Sequence, residues 1–109
     1  MNFENKVISR EIQQFLYDSN KTLGTAESCT GGRIAEVIAA VPGASNYFKG
    51  GIIAYSNELK IRLLGVNAQV IEEQSAVCEE VAMQMAVGLC QTINCDYAIA
   101  ITGIAGPGG

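Results

Sequence analysis

Residues 22–32, TLGTAESCTGG, constrain the fold of this chain more than any other stretch. The segment begins as a short apolar strand, breaks at Glu27-Ser28-Cys29-Thr30 and restarts as a helix after Gly31-Gly32. A strand that turns directly into a helix is the opening of an α/β unit. The first N–H groups of a helix have no partner within it, and the helix dipole adds partial positive charge there. Glycines let an anion or a developing oxyanion approach such N–H groups closely. The turn is therefore the expected functional centre, with Ser28 as the candidate nucleophile.

The rest of the chain repeats the alternation. Phe3, Val7, Ile8, Ile12, Phe15 and Leu16 recur at three- and four-residue spacing, which predicts an amphipathic helix over 3–18 with one buried stripe. The first strand is expected over 22–26. Ile34, Val37, Ile38 and Val41 mark a second helix ended by Pro42-Gly43, and 44–48 reads as an irregular connection. A second strand is expected over 50–55, its near-continuous apolar run suggesting a strand covered on both faces. Ser56 can cap a helix over 57–64 closed by Gly65, and Asn67 can cap one more turn over 68–73. The longest later helix is expected over 79–93, with Ala82 and Ala86 permitting close packing. A third strand over 96–102 runs into the loop GIAGPGG. The pattern predicts a three-layer α/β/α domain with a mostly parallel or mixed sheet, and ligands in such sheets bind beyond the carboxyl ends of the strands. Ser28, Tyr55 and the Gly103 loop all follow predicted strand ends.

Composition narrows the classes of function. A chain of 109 residues suits one domain, 1–109. The net charge of −4, with scattered Lys and Arg, argues against a nucleic-acid or anionic-membrane surface. No apolar run reaches the roughly 18 residues of a membrane helix, and the charged, amphipathic start MNFENKVISREIQQF does not read as a signal peptide. A cytoplasmic location is expected. Without histidine or a CxxC pair no Cys/His metal site is expected, and Cys29, Cys78, Cys90 and Cys95 read as reduced thiols.

The absence of histidine also excludes a Ser-His-Asp triad. From the turn alone Ser28 is either a nucleophile or a helix N-cap. The base left for a serine is a lysine whose neutral form is favoured by its surroundings. Lys60 is the best placed, because it follows the second strand on the helix that Tyr55-Ser56-Asn57 introduces; its alternative is a solvated helix charge. Tyr55 can relay a proton or orient the lysine through its phenol, or sit as a core ring. Asn57 can hold a substrate amide or cap the helix. Cys29 is the rival nucleophile, since a helix N-terminus lowers a thiol pKa. The glycine loop is neither a Walker A sequence nor a dinucleotide fingerprint.

Three blocks, AESCTGG at 26–32, GGIIAYSNELKIRLLGV at 50–66 and YAIAITGIAGPGG at 97–109, resemble the CinA C-terminal domain family, whose characterised members are nicotinamide-nucleotide amidases. The resemblance implies hydrolysis of the carboxamide of nicotinamide mononucleotide to nicotinate mononucleotide and ammonia, with no cofactor and no metal. It implies Ser28, Tyr55 and Lys60 as catalytic residues, with Thr30, Gly31, Gly32, Asn57, Gly103 and Gly106 at the substrate. It also implies that the family domain continues past the glycine loop with further strands and a helix, so an incomplete domain is expected. The competing expectation is a non-catalytic nucleotide-binding or interaction module. An unfinished sheet further suggests a homo-oligomer. Cys78 falls at a helix start where a serine would cap, so a small stability loss is expected there.

Overall fold

The computed structural model describes residues 3–103, with side chains described from Arg10 onward. The elements are α1 (Phe3–Ser19), β1 (Leu23–Glu27), α2 (Arg33–Ala39), a 3-10 turn (Ala44–Asn46), β2 (Phe48–Ile53), α3 (Asn57–Leu64), α4 (Ala68–Gln74), α5 (Glu79–Ile93) and β3 (Tyr97–Ile101). The expected alternation is all present. The first strand lies one residue later than expected and the second two residues earlier.

The sheet is fully parallel with strand order β2-β1-β3. The chain therefore leaves β1 toward one side for β2 and returns across it for β3. That reversal makes the carboxyl end of β1 a topological switch point, where a crevice opens. Every residue of β1 is buried, as a central strand requires. β2 is the correction to the sequence reading. It is an edge strand whose residues alternate between half-buried and exposed, and its apolar run is not covered on both faces.

Helices cover both faces, giving the expected three layers. On one face α5 presents Val81, Met85 and Leu89, all fully buried, to Ala26 of β1 and to Leu64 and Val66 from the end of α3. On the other, Leu16 of α1 and Leu23 pack with Ala44 and Tyr47, joined by Ile38 of α2. Among the described side chains of α1 only part of the expected stripe is buried. Ile12 and Phe15 are mostly exposed, and the Phe15 ring lies 6.2 Å from that of Tyr97. Phe3, Val7 and Ile8 lie outside the described side chains.

α5 makes a close approach at Gly88. A Cβ on Gly88 would land on the Leu64 carbonyl oxygen at the end of α3. Thr92 reinforces the same contact, its hydroxyl donating to the Leu63 carbonyl at 3.2 Å. The caps follow the sequence where it was explicit. Ser56 accepts from the Leu59 amide at 3.1 Å, Asn67 accepts from the Gln69 amide at 2.8 Å, and Cys78 sits at the N-cap of α5 with no side-chain bond. All four cysteines are free. Cys90 and Cys95 lie with sulfurs 3.7 Å apart, and burial, then the Cys90 thiol, push the Cys95 thiol up to about 11, which keeps it protonated at neutral pH.

Candidate active site

The carboxyl ends of the three strands meet around a cavity of about 410 Å³ lined by residues that follow each strand and by the loop before α5. Ser28 and Cys29 come from the end of β1. Tyr55, Asn57 and Lys60 come from the β2–α3 passage, Ala76 and Val77 from the loop before α5, and Thr102 and Gly103 from the end of β3. Among the described residues no group of three or more His, Cys, Asp or Glu is placed to hold a metal ion, and no helix is long and apolar enough to cross a membrane.

Ser28 is held by its backbone. Its N–H donates to Ile101 of β3 at 3.1 Å, and its carbonyl accepts from Gly31 at 3.0 Å. One residue earlier, the Glu27 carbonyl accepts from Ala54 at 2.8 Å. Bonds from both neighbouring connections thus fix the residue, which is 4% exposed. The N-cap reading of Ser28 is overturned, because the N-cap of α2 is Gly32, which at φ 104° has a left-handed conformation favourable to glycine.

Lys60 is not a solvated helix charge. It is 2% exposed, and its Nζ donates to the Tyr55 backbone carbonyl at 3.3 Å. Burial lowers its pKa from the ordinary lysine value, with the Cys29 sulfur opposing the shift. Tyr55 is not a core ring either. Its side chain is 63% exposed at the cavity, and it is the carbonyl, not the phenol, that holds the lysine. Among the described residues no hydrogen bond joins Ser28 to Lys60; nucleophile–base contacts commonly tighten only when substrate arrives.

Thr30, Gly31 and Gly32 lie in the turn beside the cavity. None of the three lines the cavity. The N-terminus of α2 is already occupied by the buried carboxylate of Glu27, which accepts from the Ile34 amide at 2.7 Å, the Ala35 amide at 3.0 Å and the Thr30 hydroxyl at 2.7 Å. Burial raises the Glu27 pKa, but the bonds from Thr30, Ala35, Ile34 and Gly32 outweigh it and hold the carboxyl below its ordinary value. The amides of Cys29 and Thr30 donate to none of the described residues. Of the two residues, Cys29 lines the cavity. Asn57 and Gly103 line the cavity as expected, and Gly106 lies outside the described residues.

Sequence reasoning missed Glu27, Thr102, Ala76 and Val77. Glu27 carried a weak signal, a carboxylate shortly before a helix start. Thr102 donates to the Ala76 carbonyl at 2.8 Å, tying the end of β3 to the loop before α5, and no local pattern announces a bond across 26 positions.

The geometry defines a parallel α/β domain with a serine and a buried lysine at its switch point. The family model of the CinA C-terminal domain matches residues 5–109, and the chain belongs to that family. It is 49% identical over 98 residues to a CinA-like protein of Thermosynechococcus vestitus, covering 90% of this chain and 24% of that protein. It is likewise 49% identical over 102 residues to a CinA-like protein of Leptospira borgpetersenii serovar Hardjo-bovis strain L550, covering 94% of this chain and 24% of that protein. Among solved structures it is similar to a CinA superfamily protein from Enterobacter cloacae, with a TM-score of 0.89 and 33% identity over 93% of this chain and 60% of that one. It is also similar to the competence/damage-inducible protein CihA from Agrobacterium tumefaciens, with a TM-score of 0.88 and 38% identity over 93% of this chain and 61% of that one. The chain thus spans about a quarter of the curated relatives and three fifths of the solved ones.

Proposed function

We propose that this domain is a serine amidase acting on the carboxamide of nicotinamide mononucleotide. The observation that carries the reading is the burial of Lys60 in the cavity that Ser28 lines, with a carbonyl as its described acceptor and no carboxylate. Neutral Lys60 takes the Ser28 proton, and Ser28 attacks the carboxamide carbon. The Cys29 amide, in the turn that follows Ser28, receives the oxyanion; one such donor is worth roughly 3 kcal/mol. Ammonia leaves with a proton returned from Lys60, and water hydrolyses the acyl-enzyme to nicotinate mononucleotide. The pyridinium charge of the substrate makes its carbonyl more electrophilic.

The test is ammonia release from nicotinamide mononucleotide by the chain and by Ser28→Ala. Turnover that disappears in Ser28→Ala supports the reading. Turnover kept in Ser28→Ala and lost in Cys29→Ala transfers the role to the neighbouring thiol. The second reading is a nucleotide-binding module without turnover. It is favoured by the engagement of Lys60 with Tyr55 rather than with Ser28. Saturable binding of the nucleotide with no ammonia released selects it.

A further inference from the structure

The Ser28 turn contains two consecutive glycines in the left-handed region, Gly31 at φ 60° and Gly32 at φ 104°. Such a pair gives the backbone no stiffness of its own. Catalysis nevertheless needs the nucleophile held closely, since a displacement of about 1 Å costs about 100-fold in rate. The stiffness must therefore come from bonds that span the turn.

Glu27 supplies the longest of these. Its carboxylate reaches forward across the turn to the Thr30 hydroxyl, and beyond both glycines to the Ile34 and Ala35 amides at the start of α2. Its own backbone carbonyl is fixed by Ala54. One residue thus bonds the strand before Ser28, the middle of the turn and the helix after it. Capping α2 does not by itself require this. Water would satisfy those amides without a buried charge, and burying a carboxylate is costly unless its bonds are complete. Glu27 is 1% exposed and does not line the cavity.

We infer that Glu27 is a positioning residue for the nucleophile. Its carboxylate clamps the Ser28–Gly32 turn through Thr30, Ile34 and Ala35, and turnover depends on that clamp although Glu27 touches no substrate. The inference rests on the serine reading given above. It explains why the first-turn amides of α2 are unavailable to a ligand: the clamp consumes them.

The test uses the whole chain and three variants, Glu27→Gln, Thr30→Val and Thr30→Ser. Three quantities are read: thermal unfolding, the steady-state constants on nicotinamide mononucleotide, and the rate at which a fluorophosphonate labels Ser28. In that labelling the P–F bond breaks, the serine oxygen bonds phosphorus and fluoride leaves. Glutamine keeps one acceptor but turns an NH2 toward an amide donor. The expected losses in kcat are about 100-fold for Glu27→Gln and about 10-fold for Thr30→Val, with KM within about three-fold and labelling slowed in parallel. Thr30→Ser restores the hydroxyl and should recover most of the rate lost in Thr30→Val. A purely structural carboxylate would lower the unfolding temperature and leave the rates of the folded protein alone. Wild-type labelling and kcat in folded Glu27→Gln and Thr30→Val overturn the inference and leave the Ser28 reading standing. If Glu27→Gln does not fold, Thr30→Val decides alone. A wild-type chain that neither releases ammonia nor labels defeats the Ser28 reading, and this inference falls with it.

Discussion

The Lys60 ammonium nitrogen sits 3.3 Å from the backbone carbonyl oxygen of Tyr55. The position of the proposed base is therefore set by main chain leaving the sheet, while the Tyr55 ring turns outward to the cavity and solvent. This separates two roles that the sequence left merged in one residue. The carbonyl orients Lys60, and the phenol is free to meet a substrate.

Tyr55→Phe should then leave the lysine in place. The expected loss of turnover is about 10-fold, the size of one neutral hydrogen bond of roughly 1–1.5 kcal/mol. The pH at which the rate rises should not move. A loss of 10²-fold or more, in the range of general acid–base catalysis, would return the proton relay to the phenol.

Lys60 itself gives a prediction in pH. Burial favours its neutral form, so the rate should rise along a limb below the ordinary lysine value of 10.5. The Cys29 sulfur acts in the other direction, so in Cys29→Ala the limb should move to lower pH. The stability consequence has a definite sign. The folded lysine loses its proton at lower pH than the unfolded one, so the unfolded chain binds more protons between the two values. Stability should rise with pH across that window and level off above 10.5. Lys60→Arg keeps a charge that cannot be lost at working pH and should be nearly inactive. Lys60→Met removes the buried charge altogether, and should be inactive yet more stable, by about 0.5–2 kcal/mol. A Met variant that is both inactive and less stable would show that the ammonium is part of the structural framework.

How far the sequence could be read depended on the range of the signal. Strand-to-helix turns, capping residues and the Ser28–Lys60 pairing all rest on local pattern or on motif, and the structure places Ser28, Tyr55, Asn57, Lys60 and Gly103 around one cavity. What was not read depends on sheet order and on side-chain bonds that no pattern announces. β2 looks doubly covered until its place at the sheet edge is known. The Thr30 hydroxyl looks free until Glu27 is seen to accept its hydrogen bond. The α2 amides look free until the same carboxylate occupies them.

Gly88 tests the packing between α3 and α5. Alanine there would gain about 1 kcal/mol of helix propensity, since glycine is a poor residue in a helix interior. Its Cβ would also land on the Leu64 carbonyl, which is backbone and cannot rotate away. Overpacking of this kind costs typically about 1–3 kcal/mol, so the clash should win. Gly88→Ala is expected to lower the unfolding midpoint in urea without changing the slope. A midpoint at or above that of the wild type would mean that α3 shifts freely.

The sheet edges offer a prediction about assembly. β2 carries Lys49 and Gly50, and its pairing with β1 is irregular between Leu23 and Gly24. Charge and irregularity are features that discourage a further strand from adding. β3, YAIAI, has no charge and runs in unbroken register with β1, and among the described residues it has no neighbour on its other side. Tyr97 and Ile99 remain 44% and 37% exposed along it. Unpaired N–H and C=O groups along a strand edge template pairing with another strand, and in a pure sample that strand comes from a second copy of the chain. Sedimentation should show association that grows with concentration at micromolar levels. Ile99→Lys places a charge on the strand and should shift the population to monomer while leaving the unfolding temperature of the isolated domain nearly unchanged. A wild-type chain that sediments as a monomer across that range would show that the β3 edge does not recruit a second copy.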